Sequence, residues 1–104
     1  MRSGRLWLGV ESAGDIHGIL DEARDCKATD VHIMAQAPIY FRIDGELHKY
    51  SDEVLSASMA RSLACGLLSE PQIQSLDENL DLDFMCVDSE QQRYRVNVGL
   101  FNGA

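Results

Sequence analysis

Twice along the chain the apolar residues change from a helical spacing to a period of two, and that change limits the folds available. In Asp30-Val31-His32-Ile33-Met34-Ala35, the side chains of Val31, Ile33 and Ala35 share one face. Ile39, Phe41 and Ile43 then alternate with Tyr40, Arg42 and Asp44 up to an Asp44-Gly45 pair. Both residues of such a pair tolerate positive φ, so it closes a tight hairpin whose return strand is Glu46 to Tyr50. Near the end of the chain, Leu80, Leu82, Phe84 and Cys86 oppose Asp81, Asp83 and Met85. After the polar turn Asp88-Ser89-Glu90-Gln91-Gln92, the residues Tyr94, Val96, Val98 and Leu100 alternate with Arg93, Arg95 and Asn97. The spacing predicts two hairpins.

Helical spacing occupies most of the remainder. Ser12-Ala13-Gly14-Asp15 fits a capping box, and Ile16, Ile19, Leu20 and Ala23 follow as the apolar stripe of a helix running to about Cys26. Gly18 weakens that helix by about 1 kcal/mol against Ala. Ser51 to Ser56 is a polar connection. Beyond it, Met59, Leu63 and Leu67 form a second stripe beside Ala60, Ala64 and Leu68, with Gly66 as a stop signal. Ser69-Glu70-Pro71-Gln72 opens a short third helix with a capping Ser, a first-turn Pro and a Gln that completes the box. Ile73, Leu76 and Leu80 supply its apolar side. Residues 1–14 read as a leader segment, with one short strand at Leu6 to Val10. No repeat or linker divides the rest. The expected architecture is α+β: an antiparallel sheet of two hairpins with helices packed on one face.

Composition removes several function classes. A chain of 104 residues supports one core. Seventeen Asp and Glu against nine Lys and Arg leave a net charge of −8, which argues against nucleic acid as a partner, because phosphate-backbone binders need a basic face. With 45% apolar residues, the chain has enough to bury and disorder is not expected. Its apolar runs are far shorter than the roughly 20 residues that cross a bilayer. The start carries signal-like positive charges, but its apolar stretch is short and Glu11 interrupts it. Cys26, Cys65 and Cys86 are odd in number and widely separated, so they read as reduced thiols packed as small hydrophobes in a cytosolic protein.

If each strand buries its apolar set, the other face of the sheet collects His32, Arg42, Asp81, Asp83, Arg93 and Arg95. Arginine suits planar contacts to carboxylate and phosphate. The plainer expectation is that Asp81 or Asp83 pairs with Arg93 or Arg95 across the second hairpin, contributing under about 1 kcal/mol. Asp30-x-His32 places two potential metal ligands on one side of a strand. A third would have to come from His17, His48 or a distant acid without diagnostic spacing, and His32 reads more simply as a half-buried sheet residue. No nucleophile elbow is present. Neither Lys27 nor Lys49 follows a glycine, and there is no Gly-x-x-x-x-Gly-Lys-[Ser/Thr] loop. The chain has no phosphate cradle of its own.

Ala28-Thr29-Asp30-Val31-His32-Ile33 and Tyr40-Phe41-Arg42-Ile43-Asp44-Gly45-Glu46-Leu47 resemble the "A-[ST]-D-[ILV]-H" and "R-[VI]-D-G-x-L" signatures of the type II/type IV secretion and pilus ATPases, the PilT/GspE superfamily. Leu82-Asp83-Phe84 and Arg93-Tyr94-Arg95-Val96-Asn97 resemble the same family's "x-D-F" and "R-[FY]-R-V-N" strands, with spacing closest to the PilT-like retraction branch. The likeness runs in order over about residues 15 to 103. Two departures stand out. His48-Lys49 occupies a place where relatives often carry Arg, and Asn102-Gly103-Ala104 lies in a stretch that relatives continue into a further strand.

The resemblance implies a PAS-like domain over residues 15–104, preceding a RecA-like ATPase domain that carries the Walker motifs. It implies ATP and Mg as cofactors of a parent protein, which assembles as a homohexamer in the cytoplasm against inner-membrane secretion or pilus platform proteins. It also implies that Arg95, with Arg93 as neighbour, reaches the γ-phosphate of nucleotide held by the ATPase domain, while a second phosphate-facing arginine lies beyond residue 104. On that reading the chain is the front part of a longer motor and no enzyme by itself. A free-standing PAS-like sensor or interaction module is the alternative, and a stand-alone enzyme comes third.

Overall fold

A computed structural model describes residues 16–88 and 90–100, which places the leader, the first capping box and the final four residues outside the described residues. The elements in order are α1 (Ile16–Asp25), β1 (Asp30–Met34), β2 (Tyr40–Ile43), β3 (Glu46–Lys49), α2 (Ala57–Cys65), α3 (Glu70–Asn79), β4 (Asp81–Val87) and β5 (Arg93–Gly99). The five strands form one sheet in the order β3-β2-β1-β5-β4. Asp44 and Gly45 take φ of 53° and 82°, so the Asp-Gly pair turns the chain between β2 and β3 as its chemistry requires.

The α+β class and the single helical layer hold, but the sheet is mixed. β1 runs parallel to β5, with Val31 beside Val96 and Ile33 beside Val98, while the other three strand pairs are antiparallel. A parallel pair needs a long crossover, and the chain between β1 and β5 supplies it. Alternation assigns each residue to a face but does not reveal which strands become neighbours, so the antiparallel expectation was wrong at this one pairing.

The core lies between the sheet and the helices. Val31, Ile33, Phe41, Tyr94, Val96 and Val98 pack with Ile16, Ile19, Leu20 and Ala23 of α1, Ala60 and Ala64 of α2, and Leu76 of α3. Each large aliphatic side chain buried there contributes about 1.5–3 kcal/mol. Ser69 caps α3 in a complete capping box with Gln72, as expected. Arg61 of α2 grips Asp77 of α3 through two contacts of 2.7 and 2.8 Å, which holds the Asp77 carboxyl below its usual range.

Two chain reversals rest on features that spacing does not reveal. α1 ends with Lys27 at φ 62° while the Lys27 amide donates to Arg24 O and the Ala28 amide to Ala23 O, the double bond of a Schellman cap without its usual glycine. The Thr29 amide then donates to Arg42 O, so the cap delivers the chain directly into the sheet. The β4–β5 turn is organised by Asp88, whose side chain is 2% exposed. Its Oδ1 accepts from the amides of Glu90 (2.7 Å) and Gln92 (3.0 Å), and its Oδ2 from Tyr94 Oη (2.9 Å) and Arg24 Nη1 (3.2 Å). Burial pushes the Asp88 carboxyl up, but the Gln92 amide, Tyr94, the Glu90 amide and Arg24 together hold it below its ordinary value. Burial, followed by the bond to Asp88, pushes the Tyr94 hydroxyl well above its own.

Gly66 caps α2 at φ −65°, a conformation open to any residue, so positive φ is not why it is glycine. A Cβ there would stand 2.8 Å from Ile16 Cγ2 and 3.3 Å from Leu63 O. At Gly18 the same atom meets nothing within 4 Å. Gly66→Ala should therefore destabilise the fold by about 1–3 kcal/mol, and Gly18→Ala should stabilise it by about 0.5–1 kcal/mol, both read by urea unfolding. For Asp88 the sign follows from its lowered pKa. Its contribution is present above the unfolded carboxylate value of about 3.9 and is lost as pH falls through the lower folded value. Asp88→Asn should lower the thermal midpoint at pH 7 by roughly 5 °C or more and should flatten the acid limb of the stability profile, measured by circular dichroism melts from pH 2 to 7.

Candidate functional site

The face of the sheet away from the helices is open, and strand pairing sorts its side chains into rows. One row runs Leu47, Arg42, Asp30, Arg95, Met85 from β3 across to β4. The next runs Lys49, Tyr40, His32, Asn97, Asp83. Arg93 stands opposite Val87 at the mouth of the β4–β5 hairpin. The face predicted from alternation is therefore real, and Arg42, Arg93 and Arg95 all lie on it.

Their partners are not those expected. Val87 lies opposite Arg93, and this register sets Asp83 against Asn97 and Asp81 against Gly99. Asp83 accepts from the Asn97 side-chain amide, and no arginine of the second hairpin reaches it. The acid that meets the arginines is Asp30, brought beside Arg95 by the parallel β1–β5 pair. Its Oδ2 lies 3.4 Å from Arg42 Nε and accepts from Thr29 Oγ1 at 3.1 Å, and its Oδ1 lies 3.9 Å from Arg95 Nε. Arg42 is fixed further by Nη1 donating to Gly45 O at 3.1 Å. Asp30 is 16% exposed, whereas Arg95 is 68% exposed. Arg95 thus stands out from the sheet on a long, loose ion pair. Arg93 makes no ion pair with the described residues.

Arg93 also borders a shallow cleft with Lys27, Thr29, Gln92 and Arg24. Lys27 and Arg24 carry no strand pattern, and only the cap of α1 brings them there, so sequence reasoning missed them. Met85 and Val87 add exposed apolar surface next to the arginines. His32 is half-buried, as anticipated, with Nε2 enclosed and without a hydrogen bond among the described residues. Its row-mates are Tyr40 and Asn97, while His48 pairs with Phe41 and so faces the helical side, and His17 lies exposed on α1. Among the described residues no three His, Cys, Asp or Glu side chains converge to hold a metal ion. The three cysteines are half-buried, and burial raises the Cys86 thiol. Among the described helices none is long and apolar enough to cross a membrane.

For a nucleotide, this arrangement offers guanidinium side chains on an open face beside a shallow cleft. It can present guanidinium groups to phosphates held elsewhere, but it has no glycine-rich loop to wrap them.

Two solved structures of ATPases are similar to this chain. The solved structure of the pilus retraction motor PilT with bound ADP is similar to this chain with a TM-score of 0.68 and 32% identity, over 86% of this chain and 26% of that one. The structure of the ATPase DotB of Legionella pneumophila shares the fold, with a TM-score of 0.64 and 23% identity, over 88% of this chain and 26% of its own. The chain spans about a quarter of the length of each. No family profile and no curated protein matches it. Together with the motifs in order, the solved structures assign the chain to the GspE/PilT-type ATPases, as an N-terminal domain of that class.

Because Arg95 is exposed and loosely paired, Arg95→Ala should leave unfolding stability within about 0.5 kcal/mol of the unmodified chain in urea titrations. Any loss of activity could then be separated from loss of fold.

Proposed function

We propose that this domain is the regulatory and assembly domain of a hexameric secretion or pilus motor ATPase, and that Arg95 senses the γ-phosphate of ATP held by the ATPase domain. The observation that carries the reading is the exposure of Arg95 on an open sheet face, with one distant counter-ion among the described residues, in a chain of net charge −8. A guanidinium that meets a terminal phosphate must be free to leave its own domain, and a strong internal pair would hold it back. Arg93 lies two residues away on the same face and adds positive potential without an ion pair among the described residues. ATP with Mg supplies the phosphoryl chemistry in the parent protein. The role of this chain's residues is to place positive charge at the phosphate and to convert its presence into domain position.

The partners on this reading are the protein's own C-terminal ATPase domain, neighbouring subunits of the homohexamer and inner-membrane platform proteins, with the assembly on the cytoplasmic side. Leu47, Met85 and Val87 suit contact with such a neighbour, since exposed apolar residues around an arginine band are common at protein interfaces.

The reading is tested first in the gene, where a Walker A loop should be encoded within a few dozen residues of Ala104. It is tested next in the ATPase that carries this domain. Arg95→Ala should lower kcat by at least about tenfold while moving the KM for ATP little, the pattern of an interaction made mainly in the transition state. Arg93→Ala should have a smaller effect. Unchanged turnover in Arg95→Ala would remove the sensor role, and the absence of the loop would remove the motor assignment.

A further inference from the structure

Asp30 occupies an unusual place among the charges of the open face. It is the most enclosed member of its row, yet it meets two arginines from two different strands, one through each carboxylate oxygen. The two contacts are unequal. Arg42 lies at 3.4 Å and is itself anchored to Gly45 O, while Arg95 lies at 3.9 Å and is mostly exposed. Thr29 Oγ1 supplies a further bond to the same oxygen that Arg42 approaches.

We propose that Asp30 is the counter-ion that holds Arg95 in reserve and releases it when an anionic phosphate arrives. Removing the only partner of an enclosed carboxylate strands a charge and is strongly disfavoured. Asp30 avoids that penalty, because Arg42 and Thr29 remain on it after Arg95 departs. Arg95 can therefore exchange one anion for another while the sheet keeps its register and its neutralised centre. The exchange is also graded. Loose, exposed pairs are weak, so Asp30 competes with the incoming phosphate by a small factor and does not lock the arginine in place. Asp30 is on this view a positioning residue: it acts on the phosphate through Arg95. The parallel β1–β5 pair is what makes the arrangement possible, since it sets Asp30 directly beside Arg95.

The inference rests on the phosphate-facing role proposed for Arg95, but it is read on the 104-residue chain with inorganic triphosphate as probe, so the two can fail separately. An ATPase that ignores Arg95→Ala would end the sensor role and leave this result standing. Affinity is followed by NMR through the arginine Nε–Hε signals. Asp30→Asn, which keeps the shape and the bond to Thr29, should raise triphosphate affinity about three- to five-fold, the size of one loose ion pair. Asp83→Asn removes the same charge from the same face without touching an arginine, and should change affinity by less than about two-fold. Adding Arg95→Gln to Asp30→Asn should abolish the gain. Equal gains from Asp83→Asn and Asp30→Asn, no gain from Asp30→Asn, or a gain that survives Arg95→Gln would each overturn the proposal. The unmodified chain gives a reading that needs no variant to fold. Triphosphate should shift the Arg95 Nε–Hε signal and leave that of Arg42 nearly in place. Equal shifts, or no shift of Arg95 up to about 10 mM triphosphate, a concentration range where even millimolar binding registers, would overturn it as well.

Discussion

The parallel pairing of β1 with β5 is the contact on which both halves of the domain depend. It joins the three-stranded unit of β1, β2 and β3 to the hairpin of β4 and β5, making one sheet of five strands. On the helical side it brings Val31 and Ile33 against Val96 and Val98, at the centre of the core. On the open side the same pairing sets Asp30 beside Arg95. Packing and charge placement are thus set by one register. A slip of one residue would turn the apolar residues outward and bury the charged ones, which is why the buried face holds the site in place so firmly.

Around that pairing, local devices steer the chain into position. The glycine-free cap of α1 feeds Thr29 into the sheet through its bond to Arg42 O, one residue before Asp30. At the start of β5, the enclosed carboxylate of Asp88 gathers the β4–β5 turn and reaches back to Arg24 on α1. Arg93 begins β5 immediately after that turn. The exposed arginines are therefore carried on a strand whose entry is anchored. For the phosphate-sensing role proposed for Arg95, a strand with an anchored entry limits the entropy lost when contact is made.

Much of this was legible without a structure. Strict alternation in β4 and β5 placed Arg93 and Arg95 on a solvent face, the Asp44-Gly45 pair located the first hairpin, and Ser69 with Gln72 marked the start of α3. Other features left no local trace. Lys27 closes α1 with a positive φ that residue preference alone would not assign to lysine, and Lys27 with Arg24 joins Arg93 around a cleft only because α1 ends beside β5. Gly66 looked like a helix stop, yet its small size serves the approach of Ile16, fifty residues earlier in the chain.

The sequence by itself determined which side chains face inward, where the tight turns fall, and that no glycine-rich phosphate loop exists in this chain. These are local properties, set by the period of the backbone and by the φ preferences of a few residues. Only the tertiary structure decided that β1 lies beside β5, and therefore that Arg95 answers to Asp30, with Asp83 left to Asn97. Strand neighbours and registers are chosen by burial across the whole core, and two strands sixty residues apart carry no mark of each other in their own spacing.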